Sequence, residues 1–276
     1  MGNETPTNVR QKLKERLKSF LYKALPPFVA NAVRYRNVDL KDYYVLPKKD
    51  IRYANDLLFT YHNADFMTEP RFAESYRLCK EIGGDLLRDY DIQWRVHVLC
   101  WAASHAAKLE GDFVDCGVNT GFCARAIVNY VDFNKLKKKY FLMDTFSGMD
   151  ERYSSDYEMQ RDQKLGYKKK TDLYEQVLKT FRGFNVEIIK GAIPDTLPLA
   201  LTEKVSYLSV DMNCVRPEVD ALNFFWPKMV SGGLIILDDY GYPGAIEQKH
   251  AHDQFARSKG VEVLSLPTSQ GLIIKP

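Results

Sequence analysis

The sequence lacks the features that mark several broad classes of protein. Its five cysteines, Cys79, Cys100, Cys116, Cys123 and Cys214, are odd in number and include no Cys-x-x-Cys pair. This excludes a disulfide framework and a short thiolate metal motif, and leaves reduced core thiols as the reading. No apolar run approaches the roughly 18 residues needed to span a bilayer. The opening MGNETPTNVRQKLKERLK has no apolar stretch of the secretory kind. Met1-Gly2-Asn3 begins like a myristoylation site, but Pro6 stands where Ser or Thr is required. Together these absences predict a cytoplasmic location. There is no G-x-S-x-G, no Walker loop, no H-E-x-x-H and no internal repeat. Nor does spacing gather the five histidines into a site: His250 and His252 face different sides of one helix, and His62, His97 and His105 are scattered.

What is present is an ordinary globular composition of 276 residues, 45% hydrophobic and 27% charged, rich in Tyr (17) and Phe (15). The net charge is only +3. Residues 1–36 carry eight basic and two acidic residues, a local +6, so the rest of the chain is about −3. A nucleic-acid binder would be basic across its folded body, so that class is excluded. Leu13, Leu17, Phe20, Leu21 and Ala24 recur at helical spacing in the basic segment. The spacing predicts an amphipathic helix in residues 1–36, a cap or homodimer contact, with contact to an anionic membrane surface as the alternative.

Three regions follow from the patterning: the basic helix at 1–36, a helical cap for substrate or dimer contacts at 37–110, and an α/β domain at 111–276. Residues 38–65 read as irregular. Helices are predicted at Glu69–Ile82 and Ile92–Lys108. From Gly111 onward, strands at 113–116, 139–144, 186–190, 205–210 and 234–237 alternate with helices, the signature of a mainly parallel sheet covered on both faces. The last two strands, within VEVLSL and GLIIK, are joined only by Pro267 to Gln270, so they must run antiparallel. The expected fold is a seven-stranded, mostly parallel, Rossmann-like sheet with one reversed strand. Residues 147–171 form a long charged insertion that reads as a lid or as surface filler.

In such a sheet the ligand binds beyond the carboxyl ends of the strands, so the residues there carry the chemistry. The first strand ends in Asp115-Cys116-Gly117-Val118-Asn119-Thr120-Gly121. Gly117 would let a ligand approach the backbone, Gly121 would open a helix, and Asp115 would face an ammonium group. This is not the dinucleotide G-x-G-x-x-G. The second strand ends in Asp144, placed to accept from ribose hydroxyls. The pair favours an adenosine-containing ligand over a generic turn and a capping Asp. Asp211, Asp238 and Asp239 end the fourth and fifth strands, and three carboxylates converging at one edge would repel. A divalent cation, Mg²⁺, Ca²⁺ or Mn²⁺, would relieve that repulsion; a cap, a solvated Asp and an Asp paired to Lys or Arg would do so too.

The ordered segments FMTEPR, GDFVDCGVNTG, FLMDTFSGM, KGAIPDTLP, LSVDMN and SGGLIILDDYGYPGA resemble the macrocin O-methyltransferase (TylF-like) family of class I S-adenosylmethionine-dependent methyltransferases, over about Asp65 to Pro276. The resemblance implies S-adenosylmethionine across Asp115, Gly117, Asn119 and Gly121, with Asp144 on the ribose, Thr145 and Phe146 flanking the adenosine, and Gly191 and Ala192 near the adenine. It implies Mg²⁺ on Asp211, Asp238 and Asp239, holding two neighbouring hydroxyls of a sugar or glycoside acceptor. Asp211 is the catalytic candidate. The family's second acid at the fourth strand is Asn213 here, and Asn cannot act as a base. The alternatives are methylation of a phenolic or catechol hydroxyl, and a non-catalytic adenosyl-ligand binding protein.

Overall fold

Short runs of β-branched and aromatic residues recur between residues 112 and 274, each a strand long and each followed by helical periodicity. The computed structural model describes residues 51–165 and 172–276, which belong to one compact unit, Ile51–Pro276. The amphipathic helix expected in residues 1–36 lies outside the described residues.

Among the described residues two α-helices precede the sheet, α1 (Pro70–Gly83) and α2 (Gln93–Ala106). The α/β region then runs β3 (Asp112–Cys116), α3 (Phe122–Tyr130), β4 (Tyr140–Asp144), α4 (Asp156–Leu165), α5 (Leu173–Thr180) and β5 (Val186–Lys190). It continues with β6 (Val205–Val210), α6 (Val215–Phe225), β7 (Met229–Leu237), α7 (Ile246–Ser258), β8 (Leu264–Ser265) and β9 (Gly271–Ile274). A separate hairpin, β1 (Tyr53–Asn55) with β2 (Leu58–Thr60), lies ahead of α1. The seven sheet strands lie in the order β5-β4-β3-β6-β7-β9-β8. Only β9 is reversed, pairing antiparallel with both β7 and β8. That is the expected Rossmann-like sheet with its single reversed strand.

The register places the chemistry. Cys116 pairs with Met143 on one side and with Val210 on the other, and Val210 pairs with Leu237. The next residue on each strand is therefore at the same level: Gly117, Asp144, Asp211 and Asp238 form a row along one rim. The chain reverses its direction of travel across the sheet between β3 and β6, which opens the crevice there.

Strand parity divides the core. Val114, Phe141, Met143, Leu208 and Val210 pack with α6 and α7 through Ala221, Leu222, Phe225 and Phe255. Phe113, Tyr140, Leu142 and Tyr207 pack on the other face against α2, α3 and α5. The helical region is joined to this body through α3: Phe72, Tyr76, Cys79, Val96 and Cys100 form one buried cluster with Ala126. The Glu69-Pro70 pair sets the start of α1. The Glu69 carboxylate accepts from the Arg71 and Phe72 amides at 3.2 and 2.8 Å, and Pro70 occupies the first turn, where its missing N–H costs nothing.

The hairpin departs from the sequence reading, which found only irregular chain at 38–65. Its two turn residues, Asp56 and Leu57, both adopt left-handed backbone, with φ of 51° and 58°. That is the tight hairpin turn usually signalled by Asn-Gly or Asp-Gly, here without a glycine.

Candidate active site

Beyond the rim lies a cavity of about 830 Å³, counted with its open mouth. Gly117, Asn119, Asp144, Thr145, Phe146, Gly191, Ala192 and Asp211 all line it. Of the residues singled out from the sequence, these eight are brought together around one space. Gly148, Met149, Asp150 and Ser154 add a wall from the charged insertion. The insertion is docked there. Glu158, at the start of α4, accepts from the Ser155 and Val215 amides at 2.7 and 2.8 Å, fastening α4 to the first turn of α6.

Gly117 is required for a different reason from the one its motif suggests. Its φ is +93°, and a Cβ there would stand 1.9 Å from the carbonyl oxygen of Asp211. The close approach is between two strand ends, tied by the Asp211 amide donating to the Cys116 carbonyl at 2.8 Å. Asp144 also does more than face the cavity. One oxygen accepts from the Val118 and Asn119 amides at 2.6 and 2.8 Å, and the other from the Phe146 amide at 2.6 Å. The carboxylate thus holds the first turn against the second strand end. Thr145 Oγ1 lies 3.5 Å from that second oxygen but donates its proton to the Gly148 carbonyl at 2.5 Å, so of a carboxylate's roughly four acceptor positions one remains able to take a hydroxyl of a nucleoside. Left-handed backbone at Asn119 and Phe146 (φ 52° and 55°) and at Gly191 (φ 146°) shapes the same walls. A narrow, glycine-floored space beside a fixed carboxylate fits an adenosyl group.

Asp115 and Gly121 do not line the cavity. Parity sends the Asp115 side chain to the Phe113 face, where it is buried and accepts from the Tyr140 hydroxyl at 2.8 Å. Its other oxygen has no hydrogen-bond partner among the described residues. The ammonium contact expected of it is therefore not offered at the cavity wall. A Cβ on Gly121 would meet the Phe181 ring at 2.6 Å, so this glycine serves helix packing. Burial pushes the Asp115 carboxyl up to about 7, partly offset by the Tyr140 hydrogen bond. Between about pH 4 and 7 the folded protein holds a proton that the unfolded chain has released, so this group's contribution to stability falls as pH rises through that window. Asp115→Asn is expected to be more stable than wild type at pH 8 by roughly 2 kcal/mol, with the difference vanishing near pH 4. Thermal melts of both proteins across that range measure it, and an Asn variant less stable at pH 8 would contradict the assignment.

The three acidic residues at β6 and β7 do converge. Burial raises the Asp211 carboxyl well above the ordinary range; Asp238 and Asp239 push it further, and Arg95 pulls it down. Asp239 is raised to about 6, by burial first and then by Asp238, against Arg95 and Arg161. Their repulsion is answered by guanidinium groups. Arg95, from the first turn of α2, places Nη1 at 2.5 Å from Asp238 Oδ2 and 3.6 Å from Asp239 Oδ1. Arg161, from α4, places Nη2 at 3.1 Å from Asp239 Oδ2. Gln270 Nε2 donates to Asp238 Oδ1 at 3.2 Å. Among the described residues no group of three or more His, Cys, Asp or Glu side chains is arranged to hold a metal ion. The trio as folded does not fit the divalent cation expected there.

Arg95, Arg161 and Gln270 were not singled out from the sequence. They reach the rim from α2, α4 and the β8–β9 turn, and no local spacing marks them. Of the histidines, His97 stacks on Phe66 with ring centroids 3.9 Å apart, and His105 Nε2 lies 3.0 Å from the Gly232 carbonyl oxygen. The Asn213 side chain donates to Asp211 Oδ1 at 3.0 Å, orienting the one acid that remains at that strand end.

Residues 95–264 match the family described as macrocin-O-methyltransferase (TylF). The chain is similar to mycinamicin III 3''-O-methyltransferase of Micromonospora griseorubida, 26% identical over 205 residues, covering 69% of this chain and 80% of the relative. It is also similar to 8-demethyl-8-(2,3-dimethoxy-alpha-L-rhamnosyl)-tetracenomycin-C 4'-O-methyltransferase of Streptomyces olivaceus, 26% identical over 155 residues, covering 52% of this chain and 59% of that protein. Among solved structures, the O-methyltransferase NovP superposes with a TM-score of 0.61 at 18% identity, over 74% of this chain and 97% of that one.

Proposed function

Because the chain belongs to the macrocin-O-methyltransferase family and is an S-adenosylmethionine-dependent O-methyltransferase, we propose that it methylates a hydroxyl of a sugar or glycoside, with Asp211 as the general base. The observation that carries this reading is the shared cavity: Asp211 lines the same space as Gly117, Asn119 and Asp144. A relative whose name describes a rhamnosyl compound methylated at a 4'-oxygen supports the acceptor class.

S-adenosylmethionine supplies a methyl group on a positively charged sulfur, a good electrophile towards oxygen. Gly117, Asn119, Asp144, Thr145, Phe146, Gly191 and Ala192 would hold it. The chain's own task is to align an acceptor oxygen and take its proton. A sugar hydroxyl is a weak nucleophile until that proton leaves, and Asp211 is the carboxylate at the wall to receive it. Its second oxygen is available because Asn213 engages the first. Bound in the cavity, S-adenosylmethionine would supply the methyl group, its S–C bond giving way to the new O–C bond, and Asp211 would keep the hydroxyl proton. In this scheme the strand ends of the α/β domain carry the donor, and α2 brings Arg95 to the acidic rim. The Mg²⁺ implied by the resemblance has no part in it.

The test begins with the donor product. S-adenosylhomocysteine at about 100 times its Kd is expected to stabilise the fold by roughly 2.7 kcal/mol, seen as a melting temperature several degrees higher. Incubation with methyl-labelled donor and a panel of glycosides and catechols is then expected to label glycosides. Label on catechols alone would overturn the acceptor class, and no thermal shift would remove the donor assignment.

A further inference from the structure

A two-cation lattice of arginines fills the acidic rim, and it is built to stay. All four oxygens of the Asp238–Asp239 pair face nitrogen. Asp238 Oδ2 meets Arg95 at 2.5 Å, Asp238 Oδ1 meets Gln270 at 3.2 Å, Asp239 Oδ2 meets Arg161 at 3.1 Å, and Asp239 Oδ1 lies 3.6 Å from Arg95. A divalent ion needs several of those oxygens at about 2.0–2.6 Å, depending on the metal, and would have to displace the donors.

Arg95 is also fastened from behind. Its Nε and Nη2 donate to the two oxygens of Asp56 at 3.0 and 3.1 Å, a bidentate pair, and Nη2 reaches the Ser269 hydroxyl at 3.3 Å. Asp56 also accepts from the Tyr90 hydroxyl at 2.5 Å. The Arg95 and Asp56 side chains are 15% and 7% exposed. Swinging Arg95 away to admit a metal would strand the Asp56 carboxylate, buried in a turn with left-handed backbone, without its counter-charge. The planar guanidinium fork serves both partners at once: one edge holds the β1–β2 hairpin and one nitrogen holds the end of β7.

We propose that Arg95 is the resident cation of this rim: its guanidinium takes the place of a divalent metal at Asp238 and Asp239, so that methyl transfer by this protein needs no added metal ion. Arg95 is a positioning residue. It neutralises the β7 pair, leaves Asp211 as the member of the acidic trio without an arginine hydrogen bond among the described residues, and couples the hairpin to the site. The proposal rests on the methyltransferase reading only where turnover is measured; metal binding is read independently of any acceptor.

The probe is Mn²⁺, followed by its electron paramagnetic resonance signal, with wild type, Arg95→Lys and Arg95→Gln of the full chain. Wild type is expected to leave Mn²⁺ free and, with an acceptor in hand, to change turnover by less than about twofold in a chelator. Arg95→Gln is expected to lose turnover by roughly tenfold or more, as one charged pair is removed, and to gain Mn²⁺ binding. Arg95→Lys, which keeps the charge, is expected to recover part of the rate and again to leave Mn²⁺ free. A retained thermal shift with S-adenosylhomocysteine shows that each variant is folded. If Arg95→Gln does not fold, the wild-type and Arg95→Lys measurements still decide. Stoichiometric Mn²⁺ binding by wild type, or turnover lost in chelator and restored by Mg²⁺, overturns the proposal. Failure of every glycoside in the panel leaves the Mn²⁺ result standing and counts against the acceptor class alone.

Discussion

Asp211→Asn is expected to lower turnover by about 10²–10⁴-fold while leaving the thermal shift with S-adenosylhomocysteine intact, the range typical for losing a general base. The substitution is nearly isosteric, so the contact with Asn213 at 3.0 Å can persist through the amide oxygen. What is lost is the capacity to hold the acceptor's proton. The same change removes one of three mutually repelling carboxylates, because Asp211 is raised by burial and then by Asp238 and Asp239. The variant should therefore melt at the same temperature as wild type or higher, a combination that ordinary damage to a fold does not produce. Wild-type turnover should fall on the acid side as Asp211 takes up a proton, with a midpoint above the ~4 of an ordinary carboxylate. The residual activity of the variant should lack that limb. Turnover within about threefold of wild type would move the base elsewhere.

Gly117→Ala is expected to destabilise the protein by at least about 3 kcal/mol and to abolish the S-adenosylhomocysteine shift. Two costs combine. A φ of +93° is one that side-chain-bearing residues rarely adopt, at about 1–2 kcal/mol in the milder left-handed region. The added Cβ would also lie 1.9 Å from the Asp211 carbonyl oxygen and 2.4 Å from its carbon. Those atoms are backbone in the strand next to β3, so relief requires the ends of β3 and β6 to part. That movement would also carry away the base and the turn held by Asp144. Gly260→Ala separates the two costs: its φ is +69°, with nothing within 4 Å of the added Cβ. It should cost only about 1 kcal/mol and leave ligand binding unchanged. Chemical denaturation of both variants measures the difference. Equal losses would show that strain alone, and not the approach of two strands, demands glycine at 117.

Much of the fold was legible because its signals are local. The strand expected at 205–210 has those same bounds, and the reversed final pair followed from a linker too short for a crossover. Asp144, Asp211 and Asp238 were readable as strand ends, since a strand stops where its apolar run stops. The hairpin was not legible, because Leu57 gives no hint of a left-handed backbone. The place of Asp115 was missed for a subtler reason. Its position near the strand end was right, but one residue of parity turns it into the layer with Tyr140, away from the cavity.

The sequence by itself determined a doubly wound sheet, the family, and the residues at the end of each parallel strand, because periodicity and turn chemistry are properties of neighbours along the chain. Only the tertiary structure decided what answers the charge on those ends. Arg95 lies 143 positions from Asp238, and Arg161 lies 78 from Asp239. Electrostatic energy depends on distance through space, and no pattern along the chain reports which distant cation the fold will carry to a buried carboxylate.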